Sequence, residues 1–150
     1  MMLSPHFSLG EMTRSGTAIR FGIDNTPTEQ EVESLRALCN NLLELIRQRF
    51  GVLPVTSAYR NERVNMLVGG VHDSQHCRGE AADIYVSCQE KAVKMYEYIR
   101  KNLVFDQMIL EIDEQRSTRW IHISYTTRRI NRRQALMNIR LSSHSKKKKQ

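Results

Sequence analysis

Long apolar runs are missing from this chain of 150 residues. No stretch approaches the roughly 20 consecutive apolar residues that a bilayer-crossing helix requires, so no membrane span is expected. The opening MMLSPHFSLGEM lacks the charged-then-apolar design of a signal peptide, and a start in the cytoplasm is expected. Cysteine is scarce: Cys39, Cys77 and Cys88 are an odd number with no C-x-x-C pair, which argues against a disulfide framework and a cysteine-based zinc knuckle. Repeats and interior linkers are also lacking, so residues 1–140 are expected to form one domain. At 40% apolar content it can build a real core.

Acidic residues are in deficit, and the formal charge is +7. Lysines 146–149 account for four of those charges, leaving three for the rest. The end SSHSKKKKQ is too polar to pack, and residues 141–150 are expected to be a disordered basic tail. A second basic stretch, TTRRINRR, groups Arg128, Arg129, Arg132 and Arg133, but lacks the interleaved aromatics on which single-strand binders stack bases. It reads first as a solvated face and second as a phosphate or cell-wall contact, and a nucleic-acid partner is ranked last.

What is present begins with a helix over 27–50. Thr26 as N-cap, Glu29 three residues on as a capping box, Pro27 at the first helical position and Gly51 as a stop delimit it. Val32, Leu35, Leu38, Leu42, Leu43, Ile46 and Phe50 recur at helical spacing as one apolar stripe. A second amphipathic helix is expected over 89–102, with Val93, Tyr96 and Ile99 on one face. VLPVTSAYR reads as a strand ending at Tyr59, and NERVNMLVGGV as a short helical turn ended by Gly69 and Gly70.

AADIYV, QMILEI and RWIHISY alternate as half-buried strands. Successive residues of a strand point to opposite faces. Ala82, Ile84 and Val86 therefore share one face and leave Asp83 on the other; Met108, Leu110 and Ile112 leave Glu111; Ile121 and Ile123 leave Trp120, His122 and Ser124. If the aliphatic faces cover the core, Asp83, Glu111 and His122 emerge together, with His76 in the loop SQHCRGEAAD that leads into the aspartate's strand.

Those residues are the parts of a catalytic zinc centre. Such a centre takes three nitrogen or carboxylate ligands plus water, and two histidines with one aspartate meet that count. A carboxylate near the metal but not bound to it can serve as general base; Glu111 is the candidate, the alternative being an exposed strand residue paired with an arginine. The H-x6-D spacing alone is not one of the helix-borne metal motifs, and a lone histidine in a polar loop is more often a surface residue.

Taken together, SAYR, VGGVHDSQHCRGEAADI and WIHISY resemble the zinc D-alanyl-D-alanine peptidase family. Its pattern S-x-H-x-x-G-x-A-x-D followed by W-x-H is matched by Ser74, His76, Gly79, Ala81, Asp83, Trp120 and His122. The resemblance runs from FSLGEMTRSGTAIRFGIDNTPT through INRR and is closest to a compact single-domain branch. It implies one zinc ion per chain held by His76, Asp83 and His122, and an Arg60 that reaches into the site to hold substrate and a developing oxyanion. Ser57, Ser74 and Trp120 are further candidates for substrate contact, though either serine can equally cap a turn. Many members place an acidic base three residues before the last histidine, where this chain has Arg119. The similar hedgehog fold carries its glutamate at the end of the preceding strand, in a segment like MILE, which favours Glu111 and keeps Asp113 and Glu114 in reserve.

The expected fold is α+β, a small and mainly antiparallel sheet packed against the long helix and a second helix, with the zinc site on the open sheet face. The resemblance implies a metallopeptidase that cuts peptidoglycan stem peptides, as a D-Ala-D-Ala carboxypeptidase or an endopeptidase. A monomer is expected, and release to the cell wall by lysis or a phage-type holin route would bring it to that substrate; a recycling enzyme or a tailocin component would also fit. A catalytically silent, zinc-stabilised binding module of the same fold is the alternative.

Overall fold

Apolar burial on one side of a sheet organises the chain. The computed structural model describes residues 1–142, and most of the expected basic tail, 143–150, lies outside them. Two short strands, β1 (Met2–Ser4) and β2 (Phe7–Ser8), open the chain as an antiparallel hairpin. The helices α1 (Leu9–Thr13) and α2 (Gly16–Phe21) follow, each started by a serine whose hydroxyl accepts a backbone N–H: Ser8 from Glu11 and Ser15 from Ala18.

The long helix begins at α3 (Glu29–Leu38), passes through a wide π turn over Cys39–Leu43 and ends as α4 (Glu44–Phe50). Its capping box is Thr28 with Glu31, two residues later than the expected Thr26 and Glu29. The spacing of the two pairs is the same, but Asp24 already engages the backbone N–H and hydroxyl of Thr26. Leu35, Leu38, Cys39, Leu42, Leu43 and Ile46 are fully buried. The Glu44 carboxylate accepts from Ser4 Oγ at 2.6 Å and His6 N at 2.7 Å, which fastens the opening hairpin to the helix.

Next come β3 (Val55–Ser57), α5 (Glu62–Leu67), β4 (Ala81–Tyr85), α6 (Gln89–Asn102), β5 (Gln107–Asp113), β6 (Thr118–Ser124) and β7 (Gln134–Arg140). β3 is shorter than expected and releases Ala58 and Tyr59 before the predicted end. α6 matches its predicted range, but its buried stripe is Ala92, Met95, Tyr96 and Ile99, while Val93 is exposed. The sheet runs β3-β4-β6-β5-β7, antiparallel throughout except for β7, which lies parallel to β5 and was not anticipated. Ala82, Ile84, Met108, Leu110, Ile112, Ile121 and Ile123 join one core with the two helices. The other face is left for Asp83, Glu111, Trp120 and His122.

The TTRRINRR stretch is exposed, as expected, but it also pairs with buried acids. Arg128 donates through Nε and Nη2 to Glu80, at 2.9 and 2.8 Å. Arg129 and Arg132 both grip Asp106, Arg132 through Nε and Nη2 at 3.1 and 3.0 Å. Glu80 is 2% exposed and Asp106 fully buried, and Gln75 bridges the two acids. A buried carboxylate must be paired, and arginines from the loop after β6 supply the charge.

Burial pushes both carboxyls up, but the bonds from Arg128, Thr126 and Gln75 to Glu80, and from Arg129 and Arg132 to Asp106, hold both below the usual carboxylate range. Folded-state values below the unfolded ones mean stability that is present above the unfolded pKa, near 4, and lost as pH falls through the folded values. Asp106→Asn should cost roughly 2–4 kcal/mol at neutral pH, and its penalty should shrink in acid. Chemical denaturation of both proteins from about pH 3, one unit below the ordinary carboxylate values, up to about pH 7 checks this; a penalty independent of pH would contradict it.

Candidate metal centre

Three segments converge on one point. Ser74 caps a tight 3₁₀ turn over Gln75–Arg78 by accepting the His76 backbone N–H at 3.1 Å. Gly79 ends that turn at a φ of 72°, and a Cβ there would stand 2.5 Å from the Glu31 carbonyl oxygen. Only glycine allows both the left-handed backbone and this close approach to α3. His76 is thereby held at 3% exposure. Its carbonyl accepts from Arg60 N at 3.2 Å, which ties the end of SAYR to the same turn.

Asp83 on β4 stands directly opposite His122 on β6. Asp83 Oδ1 lies 3.0 Å from His122 Nδ1 and 3.4 Å from His76 Nε2, and the two imidazole centroids are 5.2 Å apart. His76 Nδ1 lies 2.6 Å from the Ala58 carbonyl oxygen. A carbonyl only accepts, so Nδ1 carries a proton and Nε2 is the ring atom that faces Asp83. A ring nitrogen facing a carboxylate oxygen calls for a proton or a cation between them. Burial raises the Asp83 carboxyl, but bonding to His122 and His76 outweighs it and holds the group far below the usual range; it is therefore an anion at neutral pH.

These atoms suit a metal. One donor atom from each of His76, Asp83 and His122 lies within 4.8 Å of the others. A tetrahedral zinc ion with bonds near 2.1 Å would separate neighbouring donors by about 3.4 Å, close to the two distances above. Two imidazoles and a carboxylate are a donor set zinc accepts, and the Ala58 carbonyl supplies the outer partner that orients a ligating histidine.

A cleft of about 930 Å³ lies over this cluster, lined also by Arg60, Ser74, Ile109, Glu111 and Trp120. Glu111 faces Trp120 on β6 and Asn138 on β7. Its pKa is raised, chiefly by burial and secondarily by Asp83, against the lowering effects of the Asn138 hydrogen bond, His122 and Arg140. Arg60 Nε is buried without a partner among the described residues. Ser57 on β3 pairs with Asp83 on β4 but does not line the cleft.

The reserve acids lie elsewhere. Asp113 accepts from the backbone of Gln115 and Arg116 and shapes the β5–β6 turn, and Glu114 accepts from Ser142 N; neither lines the cleft. Arg119 donates to the Ser87 carbonyl at 2.6 Å and to that of Val86. Cys77 and His72 line a separate cleft beside α5. Sequence reasoning missed Asn138, because β7 has no clean alternation, and the Ala58 carbonyl, because a backbone acceptor leaves no residue-type signal.

A family model described as Peptidase M15 matches residues 5–124. A search of curated proteins returned no match.

Wild-type protein loaded with zinc and dialysed should retain about one ion per chain, and His76→Ala should retain little under the same treatment. Atomic absorption with a competing chelator measures both; equal zinc in the two proteins would remove His76 from the ligand set. Zinc should also raise the wild-type melting temperature, because it binds the folded state.

Proposed function

The chain belongs to the Peptidase M15 family, the zinc D-alanyl-D-alanine peptidases, and on that footing we propose that it hydrolyses an amide bond in peptidoglycan stem peptides, with His76, Asp83 and His122 as zinc ligands. The observation that carries the reading is the placement of Glu111 in the same cleft as the three candidate ligands without belonging to their cluster. Peptidases of this family are zinc-dependent, and zinc held there would lower the pKa of a coordinated water and polarise the scissile carbonyl.

The chain's own groups do the rest. Glu111 takes a proton at its carboxylate and returns it to the leaving amine, a role suited to a carboxyl whose pKa burial has raised. Arg60 presents a guanidinium with an unpartnered buried Nε to the cleft, fitting it to hold a substrate carboxylate or the developing oxyanion. Trp120 offers a flat apolar wall beside Glu111. Ser74 acts through His76 by capping its turn. No helix among the described residues is long and apolar enough to cross a membrane.

Glu111→Gln should keep its zinc and lose about 10²- to 10⁴-fold in kcat on muropeptides, while Asp113→Asn and Glu114→Gln stay within a few-fold of wild type. Full activity in Glu111→Gln would assign the base elsewhere, and a zinc-loaded wild type inert on every muropeptide would favour a silent binding module. The unprotonated base is required, so kcat/KM should fall on the acid side at a pH above the 4.5 of an ordinary glutamate. A pH-rate profile reads that limb.

A further inference from the structure

Arg128, Arg129 and Arg132 neutralise Glu80 and Asp106, but they do not hide behind them. The two carboxylate side chains are 2% and 0% exposed, whereas the three arginine side chains are 39%, 40% and 49% exposed. All three arginines line the cleft over the His76, Asp83 and His122 cluster, and neither acid does. Three guanidiniums against two carboxylates leave a net positive charge at the cleft wall. Each guanidinium has five N–H donors and uses two nitrogens on its acid, so further donors remain for a ligand. The acids behind fix the forks in place before anything binds, which lowers the cost of ordering them.

Strand register places this wall. Asp106 N donates to the Ser124 carbonyl, two residues from His122 along β6, and Glu111 sits opposite Trp120, two residues from His122 the other way. At about 3.4 Å per residue the backbone of Asp106, which Arg129 and Arg132 grip, meets β6 roughly 7 Å to one side of His122, and that of Glu111 a similar distance to the other. A peptide advances about 3.3–3.6 Å per residue, so a group resting on the wall is about two residues from an amide lying over the cluster.

We propose that Arg128, Arg129 and Arg132 form a carboxylate subsite, selecting peptides that carry a free carboxylate about two residues from the cleaved amide. This rests on the metallopeptidase reading for the position of that amide, though not for the charge of the wall.

The test uses two synthetic stem-type peptides that differ only in a carboxylate or a carboxamide at that position. Binding is measured by calorimetry in the Glu111→Gln background, and turnover in the Glu111 protein, for wild type, Arg128→Gln, Arg132→Gln and Arg132→Lys, with melting temperature as the folding control. The wild-type wall should bind the carboxylate peptide about tenfold tighter, with the preference weakened by added salt. KM rather than kcat should carry the difference in turnover. The preference should fall to about threefold or less in the glutamine variants and be partly kept by Arg132→Lys. A purely structural clamp would lower the melting temperature and leave the preference untouched. Absence of the preference in the wild-type wall, which no folding defect can mimic, overturns the subsite, as does its persistence in folded glutamine variants. Carboxylate-selective binding without hydrolysis of either peptide by the Glu111 protein would leave the subsite standing and count against the peptidase reading.

Discussion

The register between β4 and β6 sets Asp83 opposite His122, and the rest of the site depends on that pairing. Side chains alternate across a sheet, so a slip of one residue would send the carboxylate and the imidazole into the core and turn Ile84 and Ile121 out to the cleft. The aliphatic residues of β4, β5 and β6 that join one buried cluster with the two helices make such a slip costly. Hydrophobic burial on one face thus specifies the position of polar donors on the other. The same register carries Glu111 to a place beside the cluster but outside it.

The loop donor is positioned by different means. His76 lies on a short turn with no sheet to hold it, and its place is defined by the Ser74 cap, the Gly79 approach to α3, the Ala58 carbonyl at its ring and the backbone bond from Arg60. Gln75, its neighbour, reaches Glu80 and Asp106, so the turn is joined to the two buried acids and through them to the arginine loop. Neutralising those acids and forming one wall of the cleft are tasks of the same side chains. Structural and ligand-facing electrostatics are therefore coupled here rather than separable.

Much of this was legible before any coordinates. The long helix, α6 and the three central strands follow from periodicity, since burial on one face imposes a period near 3.6 or 2. The misplaced cap shows where that reasoning weakens: Thr26 and Thr28 offer the same local pattern, and only the Asp24 bond to Thr26 decides between them. β7 escaped notice because it is an edge strand with little buried side chain on either face, and so has no alternation to detect. The partners of the exposed arginine cluster escaped notice because arginines with and without a buried partner look identical in one dimension. What distinguishes them is the presence of buried acids beneath, at Glu80 and Asp106, far away in sequence.

By itself the sequence determined which residues could share the polar face of the sheet and which donor types stood ready for a metal, because alternation is a local property of an extended chain. The tertiary structure alone decided that His76 Nε2 meets Asp83, that Asn138 joins Glu111, and that three arginines stand at the cleft wall in front of two buried acids. Those relations join segments whose separation along the chain carries no information about their separation in space. They exist only once hydrophobic burial has closed the sheet against its helices.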